Sequence, residues 1–147
     1  MAKIFLVRHA EYDGGGPDPS LSDYGKNQAK ELGELINSII SDSAKGPIQI
    51  WSSSANRAHE TAQQMKPELQ LAEITVKDDL WSDVDHPHDF NWLKQEIESF
   101  GGEYLIIVSH LEYVRDFPRV LGFRSNSASY AEGVVIDTDA NTCEELE

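Results

Sequence analysis

The sequence predicts an α/β fold, a mainly parallel central sheet with helices packed on it, and three observations carry that expectation. "IFLV" at 4–7 and "YLIIV" at 104–108 are continuous apolar runs, which read as strands buried on both faces rather than on one. Segments with helical spacing of apolar residues lie between the strand-like runs. Both runs also stop abruptly at polar residues, Arg8-His9 and Ser109-His110. In open α/β sheets, ligands bind outside the carboxyl ends of the strands, where such residues would stand.

The elements follow in order. The first strand runs from Lys3 to Val7, and Gly14, Gly15, Gly16, Pro17 and Pro19 make the next stretch a loop. Ser22 or Asp23 can cap a helix whose apolar positions, Ala29, Leu32, Leu35, Ile36 and Ile39, keep helical spacing to about Ile40. "SDSAKGP" breaks the pattern, and Ile48–Trp51 is a second short strand. A helix is expected from about Asn56 to Met65, stopping before Pro67, and then a weak edge strand at Ile74–Val76. "KDDLWSDVDHPHD" is a polar loop. Phe90, Leu93, Ile97 and Phe100 mark a further amphipathic helix ended by Gly101 and Gly102, ahead of the strand Tyr104–Val108. A helix from about Leu111 to Leu121 follows, with Pro118 as a kink or early stop, and Gly133–Ile136 closes the sheet. No internal repeat, low-complexity tract or linker divides the chain, so residues 1–147 are expected to form one domain with an acidic C-terminal tail from about residue 139.

Composition narrows the function classes. The chain has 147 residues, a formal net charge of −14 and one cysteine, Cys143. One cysteine excludes an intrachain disulfide and a multi-cysteine metal site. The charge would repel nucleic acid and anionic membrane surfaces, so neither is an expected partner. No signal-like pattern precedes the first strand and no apolar run is long enough to span a bilayer, so a cytoplasmic location is expected. Glu144, Glu145 and Glu147 read as solvated surface.

Against that acidic background the basic residues carry meaning. The first strand ends in Arg8-His9, the second in "WSSSANRAHETA" with Arg57 in the first turn of its helix, and the later apolar strand in His110 just before a helix. If the three strands are neighbours, these groups meet in one crevice. The chemistry they suit is phosphoryl transfer, whose transition state spreads charge over three equatorial oxygens and is stabilised by donors placed around them. Arg8 and Arg57 offer planar forks that bind phosphate oxygens bidentately. His110 adds a donor, and the start of the helix behind it adds backbone N–H groups. His9 is then free to attack phosphorus, and the arginines would lower its pKa and keep it neutral. Taken singly, each residue is as compatible with a surface salt bridge or a structural histidine. The conjunction at three strand ends is what points to an anion site.

"LVRHAE", "LSDYGKNQA", "SSSANRAHETA" and "IIVSHLEYVR", in this order, resemble the histidine phosphatase superfamily, over nearly the whole span from Lys3 to Asp137. The resemblance implies a phosphoglycerate-mutase-like three-layer sandwich and a metal-independent enzyme that uses no cofactor. It implies His9 as the phosphorylated nucleophile, with Arg8, Arg57 and His110 as the phosphate pocket. Leu21–Ala29 matches a stretch that opens the first helix, with Gly25 and Gln28 packing near the site; His59 falls on no catalytic position.

Two departures bear on substrate. Ala10 stands where larger members carry glycine, and Tyr12 and Asp13 follow Glu11 where they carry Ser or Thr and later Asn. Ester-cleaving members usually carry an acid in a Leu-x-Glu context after the third strand, where this chain has Ser82, followed by Asp83. Asp83, Asp85 and Glu11 are the candidates for that acid. An alkoxide leaves poorly without a proton donor, whereas an imidazole leaves readily. The resemblance is nearest to the small phosphohistidine phosphatases of the SixA type, so a phosphorylated protein is the expected partner and a small phosphorylated metabolite the alternative. A mutase-like enzyme and a non-catalytic phosphate- or phosphoprotein-binding module are the remaining alternatives. The Asp83, Asp85, His86, His88, Asp89 cluster has no recognised metal-ligand spacing and reads as a solvated loop rimming the site. Oligomeric state is left open.

Overall fold

A computed structural model describes residues 2–41, 48–69 and 73–146. The break expected at 41–47 lies outside the described residues from position 42 onwards, as does Glu147. Among the described residues six strands form one sheet: β1 (Lys3–Arg8), β2 (Ile48–Ser52), β3 (Thr75–Val76), β4 (Tyr104–Ser109), β5 (Gly133–Asp137) and β6 (Thr142–Glu145). Their order across the sheet is β3-β2-β4-β1-β5-β6, parallel from β3 to β1 and antiparallel at β5 and β6. Among the described residues the α-helices are α1 (Asp23–Ser41), α2 (Asn56–Leu69), α3 (Phe90–Glu98) and α4 (Leu111–Val120).

The unbroken apolar strands are buried on both faces, as their sequence requires. Phe5 and Val7 of β1 share one core with Leu32 and Ile36 of α1 and with Ala62 and Met65 of α2. Ile4 and Leu6 point the other way, into a core with Leu93 of α3 and Val114 and Phe117 of α4. Side chains that alternate across a strand thus give two cores and three layers. Each fully buried large aliphatic or aromatic side chain contributes about 1.5–3 kcal/mol to holding a layer in place.

Local chemistry sets the helix starts. Ser22, not Asp23, caps α1: its Oγ accepts from the Gly25 N–H at 3.0 Å, and its carbonyl accepts from Lys26. Asp89 caps α3 through the Trp92 N–H at 3.0 Å. Asp18, in the loop after β1, accepts from the Asn56 N–H at 2.7 Å and so closes the start of α2 from a distant part of the chain.

Three expectations need correction. α2 does not stop before Pro67 but runs through it to Leu69. The proline forfeits one hydrogen bond on an exposed face, while Leu69 and Met65 are buried in the core and hold the last turn in place. α3 ends at Glu98, so Phe100 lies beyond it and packs from the following turn. The segment expected as an acidic tail contains a strand, β6. Asp137 Oδ1 accepts from the N–H groups of Asp139 and Ala140, Asn141 takes a left-handed φ of 57°, and the chain reverses so that Cys143 pairs with Ile136. Glu144 and Glu145 remain exposed on this edge strand, where charge blocks further pairing.

Candidate active site

Register brings the three strand ends level. Arg8 lies opposite Ser109 and Ser52 opposite Val108, so β1, β4 and β2 end side by side. Two further backbone bonds extend this alignment beyond the strands, His9 N–H to the Ser109 carbonyl and Ser53 N–H to the Val108 carbonyl, both 3.0 Å. His9, Ser53 and His110 are thereby fixed at one level of the sheet. The neighbour relation on which the sequence argument depended holds.

His9 is almost fully buried, and its Nδ1 lies 2.9 Å from the Ala10 carbonyl oxygen. A carbonyl only accepts, so Nδ1 carries the proton and Nε2 keeps its lone pair. His110 stands edge to face with it, ring centroids 5.2 Å apart. His110 Nε2 lies 2.9 Å from Ser53 Oγ, which already accepts from the Ala55 N–H. With Ser53 Oγ already accepting from Ala55, its hydroxyl proton can go to Nε2, and in that tautomer Nδ1–H is the donor of His110.

Electrostatics keep both imidazoles neutral. Burial, followed by the Arg57 and Arg8 charges, lowers the His9 pKa from 6.5 to about 3, against the opposing pull of the Ala10 carbonyl. Burial, then His9 and Arg57, takes His110 to about 2. The sequence argument credited the arginines; burial is the larger cause.

Arg8 and Arg57 complete the cluster. Arg8 Nη1 donates to the Ala128 carbonyl at 3.1 Å, while its Nε–H is buried without a hydrogen-bond partner among the described residues. Tying Nη1 in this way leaves the Nε–H/Nη2–H edge, the fork that grips an oxyanion side-on. Arg57 is buried in the first turn of α2, and its Nη2 lies 3.7 Å from Asp83 Oδ2. Thr61 ties the two halves together: its Oγ1 accepts from the Ala10 N–H at 2.9 Å and donates to the Arg57 carbonyl at 2.7 Å. His110 is the N-cap of α4 and makes no side-chain capping bond, so the first-turn N–H groups of that helix are not occupied by the cap.

The three acid candidates have different fates. Asp83 is brought to the cluster, but its carboxylate is held by Trp81 Nε1–H, His86 Nδ1 and the Asp85 N–H, each at 2.8 Å. Burial pushes its pKa up, and these bonds outweigh that push and hold it at about 2. Asp85 is exposed. Glu11 follows His9 and Ala10 but is turned toward α1: its Oε1 accepts from the Ser22 hydroxyl at 3.0 Å, and its N–H donates to Gln28 Oε1 at 2.9 Å. Ser82 is buried.

The polar loop is more ordered than its composition suggested, with Trp81 stacked on His86 at 4.1 Å and His88 on Phe90 at 4.1 Å. Among the described residues no group of three or more His, Cys, Asp or Glu is arranged to hold a metal ion. Likewise, no helix among them is long and apolar enough to cross a membrane. Sequence reasoning gave no role to Ser53, Thr61, Trp81 or Tyr130. For Ser53 and Thr61 the signal was present, since both sit inside the Arg57 motif; Tyr130 stands in no motif at all.

A family model described as histidine phosphatase superfamily (branch 1) matches residues 4–85. The chain belongs to this superfamily. Phosphoserine phosphatase 1 of Hydrogenobacter thermophilus is 31% identical to this histidine phosphatase family member over 84% of the chain and 63% of the relative, so the chain spans less than two thirds of that protein's length. The protein histidine phosphatase SixA, solved with tungstate, matches over 97% of this chain and 93% of its own, with a TM-score of 0.80 and 15% identity. Phosphoglycerate mutase of Plasmodium falciparum matches over 99% and 89%, with a TM-score of 0.67 and 20% identity. At such identities the two solved structures establish the fold, which is the phosphoglycerate-mutase-like sandwich.

Proposed function

We propose that the protein is a phosphatase that carries the phosphoryl group on His9 and delivers it to water, with phosphohistidine protein as its preferred substrate. The observation that carries this reading is His9 itself: buried and neutral, its Nδ1–H engaged by Ala10, its Nε2 lone pair left free among two guanidiniums and a second imidazole. Nε2 attacks phosphorus, the bond to the leaving group breaks, and the leaving group departs with the electron pair and takes up a proton from solvent water. Arg8, Arg57 and the donor of His110 balance the charge on the equatorial oxygens. A water oxygen then attacks the phosphorus on His9, the N–P bond breaks back to Nε2, and orthophosphate leaves while the proton lost by the water returns to solvent.

The choice of substrate rests on the acid. Asp83, the carboxylate beside Arg57, is ionised and fully engaged, and Ser82 brings no proton of suitable acidity. An imidazole leaving group needs no strong acid; a serine alkoxide does. The second reading, a small phosphate ester such as phosphoserine, is favoured by one observation, the name of the 31% identical relative.

Free-phosphate release from a phosphohistidine protein, p-nitrophenyl phosphate and phosphoserine, by wild type and His9→Ala, tests both. Release from the phosphohistidine well above that from phosphoserine, lost in the variant, is expected. Comparable turnover of phosphoserine transfers the preference to the ester, and an isomerised ester in place of orthophosphate indicates a mutase. Phosphate binding without turnover of any of the three overturns the enzymatic reading in favour of a binding module.

A further inference from the structure

Two tyrosines flank the phosphate-binding arginines. The Arg8 guanidinium carbon lies 4.3 Å over the ring of Tyr130, and that of Arg57 lies 5.4 Å over the ring of Tyr12. The two rings meet edge to face, centroids 5.8 Å apart at 82°. Both also adjoin His9, with centroid distances of 5.5 Å for Tyr12 and 5.8 Å for Tyr130. Arg8, Tyr130, Tyr12 and Arg57 therefore form a continuous chain of contacts that passes beside the nucleophile.

We propose that Tyr12 and Tyr130 are positioning residues: a linked aromatic pair that holds the two guanidiniums in place around His9 for an incoming phosphoryl group. The proposal rests on the reading of this pocket as a phosphate site. Two fixed cations near two imidazoles repel one another, and each long side chain has rotamer freedom to lose on ordering. A carboxylate could hold such a cation, but it would occupy the N–H donors and cancel the charge that phosphate needs. A ring face holds the cation from the side and takes no hydrogen bond, so the N–H fork stays available. Arg8 has this arrangement: Tyr130 on its face, Ala128 on Nη1, and Nε–H unoccupied. Tyr12 gives Arg57 a second hold beside Asp83 and is 36% exposed, a large ring kept at the mouth of the site instead of in the core. The edge-to-face contact makes the two holds one unit.

The test is binding of orthophosphate, followed by phosphorus NMR titration, to wild type and to Phe and Leu replacements of Tyr12 and Tyr130, with thermal unfolding as the check on folding. Phenylalanine keeps the ring face and leucine keeps only bulk. The Phe variants should stay within about twofold of wild type, and each Leu variant should weaken binding about fivefold. The double Leu variant should lose less than the product of the single losses, because the rings act through one another. Leu variants that bind as wild type overturn the proposal. Phe variants that lose as much as Leu also overturn it, since the hydroxyls and not the faces would then be at work. Phosphate binding does not require turnover, so an inactive wild type that binds phosphate would defeat the phosphatase reading and leave this inference standing. A wild type that does not bind orthophosphate defeats both.

Discussion

His9 and His110 face each other edge on, 5.2 Å between ring centroids, and each is anchored through a single ring nitrogen, His9 by the Ala10 carbonyl and His110 by Ser53 Oγ. The relationship gives the pair opposite roles at one point of the sheet. His9 keeps a lone pair at Nε2, and His110 keeps a donor. Neither is a proton carrier at neutral pH, because burial holds both in the neutral form.

That burial predicts a pH dependence of stability. Folded His9 titrates at about 3 and His110 at about 2, both from an unfolded value of 6.5. Between those limits the unfolded chain binds more protons than the folded one, so stability rises with pH and is lost as pH falls below 6.5. Each imidazole contributes up to about 1.4 kcal/mol per pH unit within the window. Denaturant unfolding at a series of pH values should show the loss, and His110→Gln should have a shallower slope than wild type. Equal slopes would contradict the assignment.

Asp83→Asn separates positioning from acid catalysis. A carboxyl held at about 2 has no proton to give near neutrality. The variant should keep such phosphoserine hydrolysis as the wild type shows within about tenfold, whereas loss of a working general acid costs about 10²–10⁴ on an alkoxide leaving group. Steady-state rates on phosphoserine decide between them.

Thr61 is the polar link between the His9 turn and the Arg57 helix. Thr61→Val keeps the shape, removes the acceptor and leaves the Ala10 N–H unpaired in a buried place. A stability loss of about 1–3 kcal/mol is expected. Calorimetric unfolding measures it, and an unchanged melting temperature would show that Ala10 finds another partner.

Gly25→Ala sets a helix-propensity gain against a steric clash. A methyl group at Gly25 would overlap the Glu11 carbonyl oxygen, a backbone atom that cannot swing aside. Overpacking of this kind costs about 1–3 kcal/mol, more than the roughly 1 kcal/mol by which alanine improves a helix. The variant should therefore melt below wild type, and activity should fall with it because Glu11 is two residues from His9.

The backbone of this account was legible in the sequence because parallel strands buried on both faces leave unbroken apolar runs, and Arg8-His9, Arg57 and His110 stood where those runs stop. What was not legible depends on partners far away in the chain. Nothing in "NTCEELE" suggests a strand, since an exposed edge needs no alternation; β6 forms because the Asp137 turn folds it back on β5. Pro67 carries the local signal of a helix stop, and the burial of Leu69 beyond it overrides that signal. Tyr130 lies 118 or more positions from Tyr12 and Arg8, so only the fold brings their rings and charge together. Asp83 was a candidate acid by position; its three hydrogen bonds, invisible in the sequence, are what make it an anion instead.

The most direct test of the central claim is rapid-quench trapping of the enzyme with a labelled phosphoryl donor, followed by peptide mapping under basic conditions, where phosphohistidine survives. Acid-labile label is expected on the peptide that contains His9 in wild type, and neither label nor turnover in His9→Ala. Label on another side chain, or phosphate release by His9→Ala at the wild-type rate, would contradict it.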